Sequence, residues 1–430
     1  MKIRSVLLGS AAIAGLSTAG YAADLGVVTS LDLCDQLGIP GLNIASSDNC
    51  LTVSGNIAFE YDVGDFYNGV GGNVGDSAYG GHFFRDDPKN VKPTFPGADG
   101  NMDSAIHKFD WWLKFVATSS TDFGPAKAVL KIGQNNWNQG NNINGQSGTI
   151  SVEEAWVGVG DTTMLMAGYK GTIFNTGDDV PLDWLGLFNS SDVNTGVGFN
   201  NSITNGHMSI QVVSSAAGNG ISLEGGLENL NSSNGSPTWS AVGTLAYAGN
   251  NITAHSSLIF NQNSNWQLHT GFTGSFDKLK VVAALAADNG TAATGYTTWW
   301  NALASASYTF DMFTLAGSVE ATSANEWGVS GSVSATVSDG VSLNFGGRYF
   351  TNGTNNVTQV QAGISAAVTE AITLSGSVGA YEGDGTTPQD FYGIGKVSWS
   401  PGGGFSSSAS LEAHSTGGYK AVFTASKSIK

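Results

Sequence analysis

Three carboxylates, Asp178, Asp179 and Asp183, stand in a stretch that also holds Val180, Pro181, Leu182, Trp184, Leu185 and Leu187. A purely solvent-facing loop has little use for so many apolar side chains. Packed against a wall, they would aim the three acids into the space that the wall encloses. Five lysines, Lys108, Lys114, Lys127, Lys131 and Lys170, are the candidate counterpart. Opposed acids and ammonium groups can bind and steer ions through their field. The accompaniments of bond-making chemistry are missing. His82, His107, His207, His255, His269 and His414 are neither closely spaced nor set beside a carboxylate and a serine, so they receive no catalytic or metal role. Asp99-Gly100-Asn101-Met102-Asp103 alternates oxygen side chains as calcium loops do, but it lacks the glycine at the sixth position and the glutamate at the twelfth, and reads as a solvated turn. No enzyme activity, metal or cofactor is expected.

The element that must position these groups shows itself between Leu51 and Val63. Every odd residue there except Gly55 is large and apolar (Leu51, Val53, Ile57, Phe59, Tyr61, Val63), while the even ones are Thr52, Ser54, Asn56, Ala58, Glu60 and Asp62. A period of two describes a strand with one apolar and one wet face. Repeated about twenty times with polar connections, it is the pattern of a transmembrane antiparallel β-barrel facing lipid outside and water inside. Beyond the N-terminus no run of about 18 apolar residues occurs, so transmembrane helices are not expected.

Composition agrees with this. The 430 residues include 60 Gly and 9 Pro but only 12% charged residues, which suits no common soluble class. Residues 1–22, with Lys2 and Arg4 before an apolar stretch and small residues up to Ala22, read as a secretory signal peptide. Without Lys2 and Arg4 the 17 basic residues become 15, against 34 acidic ones, a net charge of −19. Such acidity argues against a nucleic-acid partner. It is compatible with lipid and lipopolysaccharide bridged by divalent cations. In an exported chain Cys34 and Cys50 read first as a disulfide, worth about 3 kcal/mol in the chain-entropy model. The expected organisation is a signal peptide over 1–22, a periplasmic segment with this disulfide over 23–50, and a barrel over 51–430.

Alternation and turn chemistry place twenty strands, within a span of sixteen to twenty: near 51–63, 106–118, 125–134, 150–160, 164–171, 195–203, 207–215, 238–247, 252–261, 266–276, 279–288, 299–309, 313–322, 327–337, 341–350, 357–368, 372–381, 391–400, 405–413 and 418–429. Tight turns such as Asn205-Gly206, Asp277-Lys278 and Asp311-Met312 alternate with longer loops, including 64–105, 172–194 and 216–237. Short turns at one end and long loops at the other match outer-membrane barrels. Aromatic residues flank both ends. Tyr308, Phe310, Phe313, Phe276 and Trp399 lie by tight turns, and Trp266, Trp299, Trp300, Trp327, Tyr349, Phe350, Tyr381, Phe391, Tyr392 and Tyr419 lie by long loops, as two girdles would require.

Strand parity then assigns the lysines. Outward Phe109, Trp111, Leu113 and Phe115 put Lys108, Asp110, Trp112 and Lys114 inside; outward Ala126, Ala128, Leu130 and Ile132 put Lys127 and Lys131 inside. Lys170 follows the same parity, and Arg348 is a candidate for the basic side from across the barrel. A lysine facing lipid near the midplane would cost about 2–4 kcal/mol.

Cys34-Asp-Gln-Leu-Gly, ending in Asp48-Asn49-Cys50-Leu51-Thr52-Val53-Ser54-Gly55, resembles the N-terminal signature of the alphaproteobacterial porin family, in which two cysteines precede the first strand. Val152-Glu153-Glu154-Ala155-Trp156-Val157-Gly158 and Val397-Ser398-Trp399-Ser400-Pro401 are similar to family stretches as well. In that family the chain ends in Phe, whereas here it ends Ser428-Ile429-Lys430. The resemblance implies about 16 strands, a homotrimer in the Gram-negative outer membrane, and passive diffusion of small hydrophilic solutes and ions. It also implies that the loop from Thr172 to Ser191 folds inward and presents Asp178, Asp179 and Asp183 at a constriction facing the basic wall. The net acidity leads to an expectation of weak cation selectivity. The rival expectation is a structural or adhesive barrel binding partners through its long loops, and an outer-membrane hydrolase is a remote third.

Overall fold

The computed structural model describes residues 34, 41–45, 49–65, 104–138, 150–188, 197, 207–230, 232–233, 236–289, 298–351, 353, 356–383, 389–415 and 419–429. The expected signal peptide, the Asp99–Asp103 turn, the Asn205-Gly206 turn and nearly all of the strand expected at 195–203 lie outside the described residues.

The strands in chain order are β1 (Leu42–Ala45), β2 (Cys50–Asp65), β3 (Ser104–Ser119), β4 (Ala126–Asn138), β5 (Ser151–Gly160), β6 (Thr163–Lys170), β7 (His207–Ser214) and β8 (Ile221–Glu228). A small hairpin follows, β9 (Ser232–Ser233) with β10 (Ser236–Pro237), and then β11 (Ser240–Gly249), β12 (Ile252–Asn261), β13 (Trp266–Phe276), β14 (Leu279–Asp288) and β15 (Trp299–Phe310). The chain ends with β16 (Phe313–Thr322), β17 (Trp327–Ser338), β18 (Val341–Thr351), β19 (Asn356–Ala367), β20 (Ile372–Gly383), β21 (Asp390–Gly402), β22 (Phe405–His414) and β23 (Tyr419–Ile429).

β2 to β8 and β11 to β23 pair antiparallel with their chain neighbours, and β23 pairs back onto β2 from Gly55↔Ile429 to Asp65↔Tyr419. The result is a closed antiparallel barrel of 20 strands. Closure leaves the twenty barrel strands without a free edge, as a β structure in lipid requires. β8 falls within 216–237, expected to be a loop, because Gly225-Gly226 interrupts its alternation. Short turns alternate with longer connections as expected, and Asp277 (φ 54°) and Asp311 (φ 51°) take the left-handed conformation in two of them.

The outer face carries Ile57, Phe59, Leu130, Leu245, Phe345 and Phe423 exposed, while their alternating neighbours point inward. Of the expected aromatic girdles, Tyr308, Phe310, Phe313, Trp300, Trp327 and Phe391 are exposed on this outer face. Trp299, Phe350, Tyr381 and Tyr392 differ, being buried on the opposite parity inside the barrel, because neighbouring residues on a strand face opposite ways. Cys34 and Cys50 form the expected disulfide, both fully buried. It lies beside β1, which pairs with β2 from Leu42↔Val53 to Ala45↔Cys50 and so covers the part of β2 that extends past the end of β23.

Candidate permeation pathway

Residues 171–188, between β6 and β7, run along the inner wall, and the wall is built to receive them. The Ile173 amide donates to Glu228 on β8 (2.9 Å), and the Ile173 carbonyl accepts from Thr244 on β11 (2.9 Å). Amides of Asn175, Leu182 and Trp184 donate to the hydroxyls of Ser257 on β12 (3.0 Å), Ser305 on β15 (2.9 Å) and Ser332 on β17 (2.9 Å). Main-chain groups taken out of water need such partners. On β18, the buried Arg348 donates from Nη1 to the carbonyls of Leu185 and Leu187, each at 3.3 Å.

Apolar packing complements these bonds. Leu182 and Leu187 sit on Val282, Ala284 and Ala286 of β14 and Trp299 and Leu303 of β15. Phe188 packs with Phe350, Val357, Tyr381 and Tyr392. Glycines on the wall leave the room. A Cβ on Gly363 would lie 2.8 Å from the Trp184 ring, and one on Gly271 would lie 2.6 Å from the Gly177 carbonyl oxygen. Contacts of the segment thus extend from Gln211 and Val213 of β7 to β21.

The three acids of this segment turn toward the wall, where the sequence led us to expect them to project into the channel. Asp183 is buried and accepts hydrogen bonds from Ser318 and from Ser330 (2.8 Å). Asp178 meets Thr253 and His255 of β12 (3.3 Å to the ring). Asp179 is 3% exposed, its Oδ2 lacking a hydrogen-bond partner among the described residues and lying 3.9 Å from His269 of β13. The physical reason is that the wall offers them hydroxyl and imidazole donors at the rungs where the apolar side chains dock.

Their titration diverges accordingly. Burial, with the Asp178 charge adding to it, pushes the Asp179 carboxyl up to about 7 against a backbone hydrogen bond. Burial would raise Asp178 too, but hydrogen bonds from Thr253, Thr273 and His255 outweigh it and hold that carboxyl below its ordinary value.

Lys108, Lys114, Lys127, Lys131 and Lys170 all take inward parity, on β3, β4 and β6, in the sector that the described part of the segment does not touch. Acids accompany three of them. Lys108 pairs with Asp110 at 3.0 Å, Lys114 with Glu154 at 3.0 Å and Lys131 with Glu153 at 2.6 Å. A bulge between β4 and β5 lets the consecutive Glu153 and Glu154 both reach this face. Register sets Lys114, Lys131, Glu154 and Lys170 on one level. Two indoles bracket it: Trp112 lies under Lys131 (4.9 Å) and Trp156 under Lys170 (5.6 Å). This wall is therefore of mixed charge, and Arg348 belongs to the inner segment instead of to it. Its acidic half was present in the sequence as Glu153-Glu154, which a search for lysines alone passes over.

The histidines supply a second omission. Inward parity on adjacent strands brings His255 and His269 into contact, Nε2 to Nδ1 at 2.8 Å with the rings stacked. Their separation along the chain hid this, although the hairpin register Ser257↔His269 and His255↔Gly271 places them on one diagonal.

No family model and no curated protein matches the chain. Among solved structures it is similar to OccAB4 of Acinetobacter baumannii, at 10% identity and a TM-score of 0.49 over 89% of this chain and 98% of that one. It is also similar to the anion-selective porin from Comamonas acidovorans, at 12% identity and a TM-score of 0.38 over 89% and 100% of the two chains. A mutant of the Rh. blastica porin gives 11% identity and a TM-score of 0.36 over 88% and 99%.

Proposed function

We propose that this chain is an outer-membrane porin of the general-porin type, secreted by way of a signal peptide over residues 1–22. In this reading it forms a water-filled channel through which small hydrophilic solutes and ions diffuse passively. The observation that carries the reading is the division of the inner wall. One sector, from β7 to β21, is occupied by the segment 171–188, and the other presents Lys108, Lys114, Lys127, Lys131, Lys170, Asp110, Glu153 and Glu154. A closed barrel with a polar, charged interior and an apolar exterior has its energetic minimum across a bilayer, with water inside. An inner segment fastened along one side narrows the lumen and brings solutes against the charged side.

The paired charges on the open wall imply weak selectivity. We assign the preference to cations, because among the described residues inward Glu60, Asp62, Glu224, Glu228, Asp288, Glu320, Asp390 and Glu412 add to the acids already named, while Lys280, Lys396, Lys420 and Arg348 add to the bases. Asp178, Asp179 and Asp183 act in this reading mainly by setting where the inner segment lies. A homotrimer in the Gram-negative outer membrane, in contact with lipid and lipopolysaccharide, follows from the family resemblance. The test is a reversal potential across a planar bilayer in a KCl gradient. Cation preference supports the assignment, and anion preference refutes it.

A further inference from the structure

The contacts joining the inner segment to β12 and β13 hold a proton count that can be read without reference to any pKa. Asp178 Oδ2 lies 3.3 Å from His255 Nδ1, His255 Nε2 lies 2.8 Å from His269 Nδ1, and His269 Nε2 lies 3.2 Å from the carbonyl oxygen of Val197. Each contact needs one hydrogen. The carbonyl can only accept, and an ionised carboxylate can only accept. Two neutral imidazoles bring one N–H each, so between them they satisfy two of the three contacts. The third is made only when the chain of groups takes up one proton more, shared along Asp178, His255 and His269.

Acids flank the two rings. Both histidines and Asp179 are buried, and Asp179 Oδ2, without a hydrogen-bond partner among the described residues, lies 3.9 Å from His269 Nε2. With the proton absent, Asp178 and Asp179 are two adjacent carboxylates on the wall facing neutral rings. With it present, a cation lies between them. Of the groups facing the pair, Thr253 and Thr273 are uncharged donors to Asp178, and the next level of β13 and β14 carries Gln267 opposite Asp288. Every charged group facing the pair among the described residues is thus an acid.

We propose that Asp178, Asp179, His255 and His269 form a one-proton binding site that fastens the inner segment to the barrel wall. Loaded with the proton, the site makes all three hydrogen bonds and holds the segment docked. On losing it, one of the three contacts sets an acceptor against an acceptor: the Asp178 end or the Val197 end, which frees the segment directly, or the 2.8 Å contact between the rings, whose lone pairs push His255 and His269 apart and disturb the wall the segment rests on. Acidification therefore locks the segment and alkalinisation releases it. Its effect on permeation rests on the channel reading above; the existence of the site does not.

Nitrogen-15 histidine NMR of the full barrel, folded in detergent micelles and titrated from pH 4.5 to 8.5, tests the site directly. The expected result is three N–H groups on the two rings at the acidic end and two at the alkaline end, both rings changing together. His269→Gln should leave His255 titrating alone. Asp179→Asn, which keeps the shape of the side chain, should lower the shared midpoint and serves if the glutamine variant does not fold. One N–H on each ring across the whole range overturns the proposal, as does independent titration of the rings in the unaltered protein. In planar bilayers the unaltered channel should close briefly at least threefold more often at pH 8 than at pH 5. Steps with pH-independent closure contradict the proposal, whereas the absence of steps at any pH contradicts the channel reading and leaves the NMR result to decide the site.

Discussion

The guanidinium of Arg348 lies 3.9 Å from the centre of the Phe188 ring, so one cation grips the inner segment both by its aromatic face and by the carbonyls of Leu185 and Leu187. Its Nε donates to Gln359 at 2.5 Å, and Gln359 is in turn held by Tyr381 at 2.9 Å and Tyr392 at 2.6 Å. The fork of a guanidinium can make these contacts at once, and an ammonium cannot.

Arg348→Lys should accordingly behave almost as badly as Arg348→Ala. Each lost buried hydrogen bond costs about 1–3 kcal/mol, enough to undock the segment locally while the strand ladder persists. The expected outcome is a noisier channel, its larger open steps interrupted by more frequent brief closures, with unchanged far-ultraviolet circular dichroism. A quiet channel of unaltered conductance in both variants would show that Arg348 does not hold the segment.

Glycine substitutions separate docking from general effects on the wall. In Gly271→Ala the new Cβ would come 2.6 Å from the carbonyl oxygen of Gly177, a backbone atom that cannot swing aside. Gly395→Ala has open space around the same atom. The first should raise conductance and expose the segment to protease, the second should do neither, and equal behaviour of the two would count against the docked geometry.

Asp179→Asn should remove part of the pH dependence of docking. A carboxyl raised from 3.8 to about 7 in the docked state is uncharged there at low pH, so docking weakens as pH rises from about 4 and levels off above about 7. The asparagine variant lacks that loss and should stay docked more firmly than the unaltered protein at pH 8. Protease sensitivity of the segment at pH 5 and pH 8, compared between the two proteins, measures this.

Glu154→Gln leaves Lys114, Lys131 and Lys170 at one level of the open wall without the acid between them. Exposed ion pairs contribute about 0–1 kcal/mol, so folding should be unaffected. Selectivity should move toward anions, read as a shift of the reversal potential in a salt gradient. A potential that does not move would place the ions' path away from this wall.

How far the sequence reveals such a molecule depends on what a side chain's type implies about its face. The period-two stripe of β2 and the lysines of β3 and β4 declare inside and outside because lysine in lipid is so costly. β8 does not, since Gly225-Gly226 removes the very side chains that would show the period. The true count of twenty strands was nevertheless reached, with β8 missing and the expected strand at 195–203 outside the described residues.

The inner segment was legible as apolar and therefore docked, and its landing site was also written in β14. Val281-Val282-Ala283-Ala284-Leu285-Ala286-Ala287 is apolar on both faces, which a wall open to water would not be. The direction of the acids was not legible. Serines such as Ser257, Ser305, Ser318 and Ser332 suit a wet lumen and a row of docking hydroxyls equally well, and only their positions beside the segment distinguish the two.

Single-channel recording of the purified, folded barrel in planar bilayers tests the proposed channel most directly. The expected result is discrete, ohmic conductance steps in KCl, whose mean amplitude rises when Arg348 or Gly271 is changed as above. A folded barrel that inserts and yields no steps would contradict it.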